Sequence, residues 1–253
     1  MDQIVGQIEE IVRRCGEYIL NVDRNGGGDI ISKEGHANFV TRHDQKVQEI
    51  LKKELLKLLP GAAFVGEEEE VHESVYREGY AFIVDPIDGT SNFIKDYRAS
   101  AVSVGLLKDG KQYAGVIYNP YPDEMFSAQA GEGAFLNGKP IHVSDHPLSE
   151  GLVIVGSAPY YEELHEESFK MAYHYFKRCI DIRRSGSAAI DLCNIAVGRA
   201  ELFCELRLQP WDFAAGSLIV TEAGGYVRTR EGEALRFDRA CSVVASNQVC
   251  RED

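Results

Sequence analysis

The order of hydrophobic patterns predicts a mixed fold: α+β in the first half of the chain and α/β in the second. Three observations carry this. Apolar residues recur at helical spacing near the N-terminus, short apolar runs bounded by turn residues fill the middle, and strand-like and helix-like segments alternate after residue 150. The 253 residues are 44% hydrophobic and 26% charged, ordinary globular usage that argues against a disordered chain or a coiled coil.

Ile4, Ile8, Ile11, Cys15 and Ile19 place a helix over 2–22, ended by a turn at Asn25-Gly26-Gly27-Gly28-Asp29. Thr41 and Asp44 form the start of a second helix, with Asp in the place of the usual capping-box Glu, and Pro60-Gly61 stops it. Strands are expected at Ala63–Gly66, Tyr80–Val84, Ala101–Leu107, Gln112–Tyr118, Asp123–Gln129 and Ile141–Val143, with hairpin turns at Asp109-Gly110 and Asn137-Gly138. The second half reads as strand Leu152–Val155, a helix near 161–177, strand Ile180–Arg183, helix Ala188–Val197, strand Ala200–Glu205 and helix Trp211–Ala223. Strands near Tyr226–Thr229 and Ser242–Ala245 close the chain. No long linker separates the halves, so two subdomains sharing an interface are expected, 1–146 and 147–253.

Charge restricts the partners. With 27 Lys+Arg against 40 Asp+Glu the formal net charge is −13, which argues against a broad electrostatic grip on nucleic acid or on an anionic membrane. An anionic substrate stays open if a cation stands between it and the protein. The start of the chain lacks a secretory pattern, and no apolar run reaches the roughly 20 residues of a membrane span. The six cysteines are widely spaced with no CxxC pair, so reduced thiols and a cytoplasmic protein are expected.

Two motifs mislead. Gly133–Lys139 fits the opening of a nucleotide phosphate loop, but Pro140 stands where that loop needs a hydroxyl, and Asn137-Gly138 reads better as a hairpin. His142 and His146 have a zinc-like spacing only if helical, and they follow a strand.

The informative cluster is acidic. An apolar strand runs into Asp85-Pro86-Ile87-Asp88-Gly89-Thr90-Ser91-Asn92, where Pro86 fixes φ and Gly89 permits a turn closed to bulkier residues. Such a turn could aim both carboxylates at one point. Glu67 closes another strand and Asp212 heads a helix. Oxygen donors without nearby Cys or His favour hard cations such as Mg²⁺ or Mn²⁺.

These residues resemble the inositol monophosphatase family, the lithium-sensitive, metal-dependent sugar-phosphate phosphatases. Lys33 with Asn38-Phe39-Val40-Thr41, Asp44, Gly66-Glu67-Glu68, Asp85–Thr90 and Trp211-Asp212-Phe213-Ala214-Ala215-Gly216 follow the family's order over nearly the whole chain. The resemblance implies a layered αβαβα sandwich and a homodimer. It implies a first Mg²⁺ on Glu67, Asp85 and the Ile87 carbonyl, a second on Asp85, Asp88 and Asp212, and a third, looser ion near Glu67. Thr90 with Asp44 would orient the attacking water, and Gly89 and Thr90 N–H groups would bind phosphate. Asp88, Gly186, Ser187, Ala188, Glu205 and Asp212 would meet substrate hydroxyls. Ser187 serves equally well as a helix cap. Arg183 and Arg184 are expected at a subunit interface or in salt bridges ahead of a second substrate phosphate.

The implied activity is hydrolysis of inositol monophosphate or a similar small polyol phosphate. Fructose-1,6-bisphosphatase or nucleotide 3′-phosphatase activity is the alternative on the same scaffold, and a regulatory protein-binding role with secondary catalysis the alternative from another class. The long acidic run Glu67–Glu70 and the Lys33–Asn38 loop, with Glu34 and His36, depart from the family pattern at the third metal.

Overall fold

The computed structural model describes residues 3–22, 30–32, 39–68 and 78–251. Lys33–Asn38, the 25–29 turn and Glu69–Glu70 lie outside the described residues.

Helix α1 (Gln3–Asn21) turns Val5, Ile8, Val12, Cys15 and Ile19 inward. Strands β1 (Ile30–Ser32) and β2 (Phe39–Thr41) pair as an antiparallel ribbon. That ribbon delivers the chain to α2 (Arg42–Leu58), whose N-terminus closes as the expected capping box of Thr41 and Asp44. Seven strands follow: β3 (Ala63–Gly66), β4 (Tyr80–Asp88), β5 (Ala101–Lys108), β6 (Lys111–Asn119), β7 (Glu124–Gln129), β8 (Gly133–Leu136) and β9 (Lys139–Ile141). They form one sheet in that order, with α3 (Thr90–Ile94) between β4 and β5. Only β3 and β4 in this sheet run parallel.

The second sheet has the order β11-β10-β12-β14-β13, built from β10 (Leu152–Val155), β11 (Asp181–Arg183), β12 (Leu202–Leu208), β13 (Tyr226–Arg228) and β14 (Cys241–Ser246). Its helices are α4 (His165–Phe176), α5 (Ala188–Ala196) and α6 (Pro210–Glu222). The layers stack as α1/α2, seven-stranded sheet, α5/α6, five-stranded sheet, α4, the αβαβα sandwich that the resemblance implies. Helix α6 lies between the sheets and is apolar nearly all round, as a doubly covered helix must be. Glycines let it approach. A Cβ at Gly105 would stand 2.9 Å from the Ala214 Cβ, and one at Gly115 would stand 2.7 Å from the Ala215 carbonyl oxygen.

Four expectations shift. The strand expected at Tyr80–Val84 continues to Asp88, with its register broken between Asp85 and Asp88. The strand expected to end at Glu205 runs on to Leu208, so Glu205 sits inside it at a second register break. The strand expected at Ile141–Val143 is β9, two residues earlier, where Pro140 is tolerated because β9 is an edge. Strand β8 was not separately expected. Asn137 and Gly138, both at positive φ (49° and 74°), turn β8 into β9, so the phosphate-loop look-alike is a hairpin.

All six cysteines are free thiols, four of them buried. Among the described residues no helix is long and apolar enough to cross a membrane.

Candidate active site

Strand β4 is buried on both faces, which is why it reads as an unbroken apolar run and why acids at its end are costly. The register break leaves Pro86 and Ile87 without ladder partners between Asp85, opposite Ser103, and Asp88, opposite Ala101, and Asp85 accepts the Ile87 N–H at 3.0 Å. The glycine-supported approach of α6 brings Asp212 to the same place. Asp212 sits at the third position of α6 and caps it by accepting the Gln209 N–H at 2.7 Å. Carboxylate oxygens of Asp85, Asp88 and Asp212 lie within 4.8 Å of one another.

No ion pair neutralises these three among the described residues. Burial holds the Asp85 and Asp212 carboxyls well above the usual range, and their charged neighbours push the same way: Glu67, then Asp88 and Asp212, for Asp85; Asp88, then Glu67, for Asp212. Asp88 is raised to about 6 by burial, against the Ser187 hydroxyl and the Ala189 N–H, which donate to it. Three crowded carboxylates in an all-oxygen setting fit a hard divalent cation, whose charge would replace the missing partner.

Behind this cluster stands a second arrangement. Thr90 Oγ1 lies 3.1 Å from Asp44 Oδ1 and 3.1 Å from the Ile87 carbonyl oxygen, so its single proton chooses between two acceptors. Asp44 is fully buried and fixed from its other side by the Thr41 N–H at 2.8 Å and hydroxyl at 2.5 Å. Burial raises its carboxyl to about 6 against those hydrogen bonds. Gly89, at φ 87°, makes the turn that places Thr90 at the head of α3. A Cβ there would meet the Ala99 carbonyl oxygen at 2.9 Å.

A cleft of about 770 Å³ opens over the cluster. Of the residues anticipated from sequence, Glu67, Asp85, Ile87, Asp88, Gly89, Thr90, Gly186, Ala188, Glu205 and Asp212 line it. Asp44 and Ser187 stand behind the wall. Ser187 is buried as the N-cap of α5, its oxygen accepting the Ile190 N–H at 3.3 Å. Glu205 accepts the Ala158 N–H at 2.8 Å and holds a loop whose Ala158 sits at φ 44°. Burial raises the Glu205 carboxyl to about 7.

Tyr160 and Asp191 are cleft residues that escaped the sequence reading. Tyr160 follows the loop held by Glu205 and faces the acids. Asp191 is buried, one turn along α5 from Ser187, with Oδ1 lacking a partner; that spacing was the available signal. Arg184 also lines the cleft, whereas Arg183 points to Asp181 in an exposed ion pair at 2.5 Å.

Comparison with known proteins shows which family the chain resembles along its length. The family model for the inositol monophosphatase family matches residues 2–252. The Nus factor SuhB of Vibrio cholerae is 35% identical over 236 residues, 93% of this chain and 88% of that protein. The inositol-1-monophosphatase of Mesorhizobium japonicum is 37% identical over 220 residues, 87% of this chain and 82% of that one. The crystal structure of extragenic suppressor protein suhB from Bartonella henselae superposes with a TM-score of 0.90 at 34% identity, covering 99% of this chain and 96% of that chain. A capped Asp44 touching Thr90, an acid triad beneath an open cleft and a match along the whole sequence lead to one conclusion: the chain belongs to the inositol monophosphatase family and is a phosphatase.

Proposed function

We propose that this protein is a cytoplasmic, Mg²⁺-dependent phosphomonoesterase that hydrolyses inositol monophosphate or a similar small polyol or sugar phosphate. The observation that carries the reading is the convergence of Asp85, Asp88 and Asp212 beside the Thr90–Asp44 pair. Glu67, Asp85 and the Ile87 carbonyl would hold one Mg²⁺, and Asp85, Asp88 and Asp212 a second, with a third near Glu67 and Mn²⁺ as a substitute. Bound Mg²⁺ supplies Lewis acidity that offsets phosphate charge and makes water a better nucleophile.

The residues supply orientation. When Thr90 donates to Asp44, its oxygen lone pairs are left to accept from a water, which turns the water's own lone pair toward phosphorus. Gly89 and Thr90 bring N–H groups without intrahelical partners toward the phosphate oxygens. Asp88, Ala188, Glu205 and Asp212 border the side where the alcohol leaves, and no covalent phosphoenzyme is needed. The relative named inositol-1-monophosphatase supports this substrate class.

A phosphate-release panel with inositol 1-phosphate, fructose 1,6-bisphosphate and adenosine 3′,5′-bisphosphate tests the reading, with Mg²⁺ and with or without lithium. Release from the polyol and sugar phosphates, suppressed by lithium, is expected. Preference for the nucleotide would overturn the substrate class.

The division at residue 146 is kept as part of this reading, as is a homodimer. Phe169, Tyr173 and Phe176 form an exposed apolar stripe on α4, continued by Ile180, a surface suited to a second copy. A monomer at micromolar concentration in analytical ultracentrifugation would remove the homodimer. The relative named Nus factor SuhB favours a second reading, a regulatory protein-binding role with catalysis secondary. A variant without turnover would retain that role.

A further inference from the structure

Helix α2 serves the cleft at two points. Its first turn carries Asp44, which holds Thr90, and one turn further along the same face stands Gln48. Its buried neighbours toward the end of the helix are apolar, Val47, Leu51 and Leu55, and Gln48 itself is only 5% exposed. A buried amide in such company is costly unless it is hydrogen-bonded. Gln48 Oε1 accepts the Glu68 N–H at 3.0 Å.

The backbone of Gly66 comes directly against this amide. A Cβ there would stand 2.3 Å from Gln48 Oε1 and 2.5 Å from its Cδ, so any side chain at 66 would displace the glutamine. The same segment is tied on its other side. Gly66 pairs with Val84 in the β3–β4 ladder, and the Glu67 N–H donates to the Val84 carbonyl oxygen at 3.2 Å. Val84 immediately precedes Asp85.

Glu67 is thus clamped between β4, the strand that carries Asp85, and α2, the helix that carries Asp44. With the backbone held from 66 to 68, the two neighbouring acids leave in different directions. Glu67 lines the cleft with Asp85 and Asp212, whereas Glu68 lines a groove along α2 with Gln45, Glu49 and Lys52. Gln48 borders that groove, behind the backbone that it holds.

We propose that Gln48 is a positioning residue: it fixes the Gly66–Glu68 backbone so that Glu67, rather than Glu68, is presented to a divalent cation in the cleft. The proposal rests on the cation reading of this cleft. Because Gln48 acts through Glu67, its loss should weaken cation binding more than the chemical step.

The test compares wild type with Gln48→Met, which keeps the length and packing but loses the amide acceptor, and with Gln48→Glu, which keeps an acceptor for the Glu68 N–H. Mn²⁺ uptake by the full chain, without substrate, is read from the electron paramagnetic resonance signal of the free ion. Gln48→Met should bind Mn²⁺ about tenfold more weakly, the scale of losing a group that orients a metal ligand. In turnover the loss should appear as a higher Mg²⁺ concentration for half-activation, with kcat at saturating Mg²⁺ retained. Gln48→Glu should restore the affinity. Gly66→Ala pushes on the same amide from the strand side and should weaken Mn²⁺ uptake as well. Wild-type Mn²⁺ affinity in Gln48→Met or in Gly66→Ala would overturn the proposal, whatever happens to the thermal midpoint. A loss that Gln48→Glu fails to recover would overturn it too, because the hydrogen bond would not be its cause. Wild-type protein that takes up no Mn²⁺ would overturn the cation reading itself, a result separate from equal affinity in the variants.

Discussion

Each of the two sheets breaks its register where it reaches the cleft, and the two breaks do different work. In β4 the irregularity lies between Asp85 and Asp88 and turns two carboxylates toward a third from α6. In β12 it follows Glu205, whose carboxylate is already engaged by the Ala158 N–H. One break gathers charge that the described protein does not neutralise; the other anchors a loop. Burial and like charge raise Asp85 and Asp212, so the β4 site is incomplete without a cation, whereas Glu205 on the β12 side has a backbone donor that opposes the burial raising its carboxyl.

The largest effect should come from breaking the β4 side. Asp88→Asn keeps the shape and still accepts from Ser187 and Ala189, so the fold should persist, with an unchanged thermal midpoint in chelator. Turnover should drop by roughly 10²–10³-fold, the scale of losing one electrostatic contact to a transition state. Near-wild-type phosphate release at saturating Mg²⁺ would remove Asp88 from the cation site. Binding to a protein partner that survives in this variant would favour the regulatory reading.

The sequence showed the β4 side far better than the β12 side, for a physical reason. Asp-Pro-Ile-Asp-Gly-Thr is local: proline, glycine and two acids within six residues dictate a turn whatever surrounds it. Asp44 was legible through its capping box with Thr41, and Asp212 through its place at the head of α6. The layer order was not legible from periodicity, because α6 is apolar all round and gives no face to read. Tyr160 was missed and Glu205 was named only through the family resemblance, because the loop after β10 meets β12 through Ala158 and Glu205, 47 residues apart, a contact that leaves no pattern in the chain. Asp191 looked like any polar residue in a helix until its burial was known.

A smaller effect is expected on the β12 side. Glu205→Gln can still accept from Ala158, so the loop should hold while the negative charge facing a substrate hydroxyl is lost. A fall of about tenfold in kcat/KM for inositol 1-phosphate follows from weakening one charge-assisted hydrogen bond. Glu205→Ala should fall further, since it also leaves the Ala158 N–H without its partner. Equal values for the two variants would show that Glu205 meets the substrate without holding the loop. Wild-type kinetics in Glu205→Gln would assign it to the loop alone.

The smallest effect belongs to Asp191, which sits between the two sides and touches neither cluster directly. Burial pushes its carboxyl up to about 8, with Asp88 and Glu205 adding and the Ser185 hydroxyl and Arg184 opposing. The unfolded chain ionises this group near pH 3.9, roughly the model-peptide value. Between that pH and about 8 the folded protein holds a proton that the unfolded chain has released. Stability therefore falls as pH rises through that window and levels off above it. Asp191→Asn removes this dependence. In metal-free protein its thermal midpoint should gain on the wild type between pH 5 and about 8, and a gap that stays constant would show that Asp191 is already ionised in the folded state.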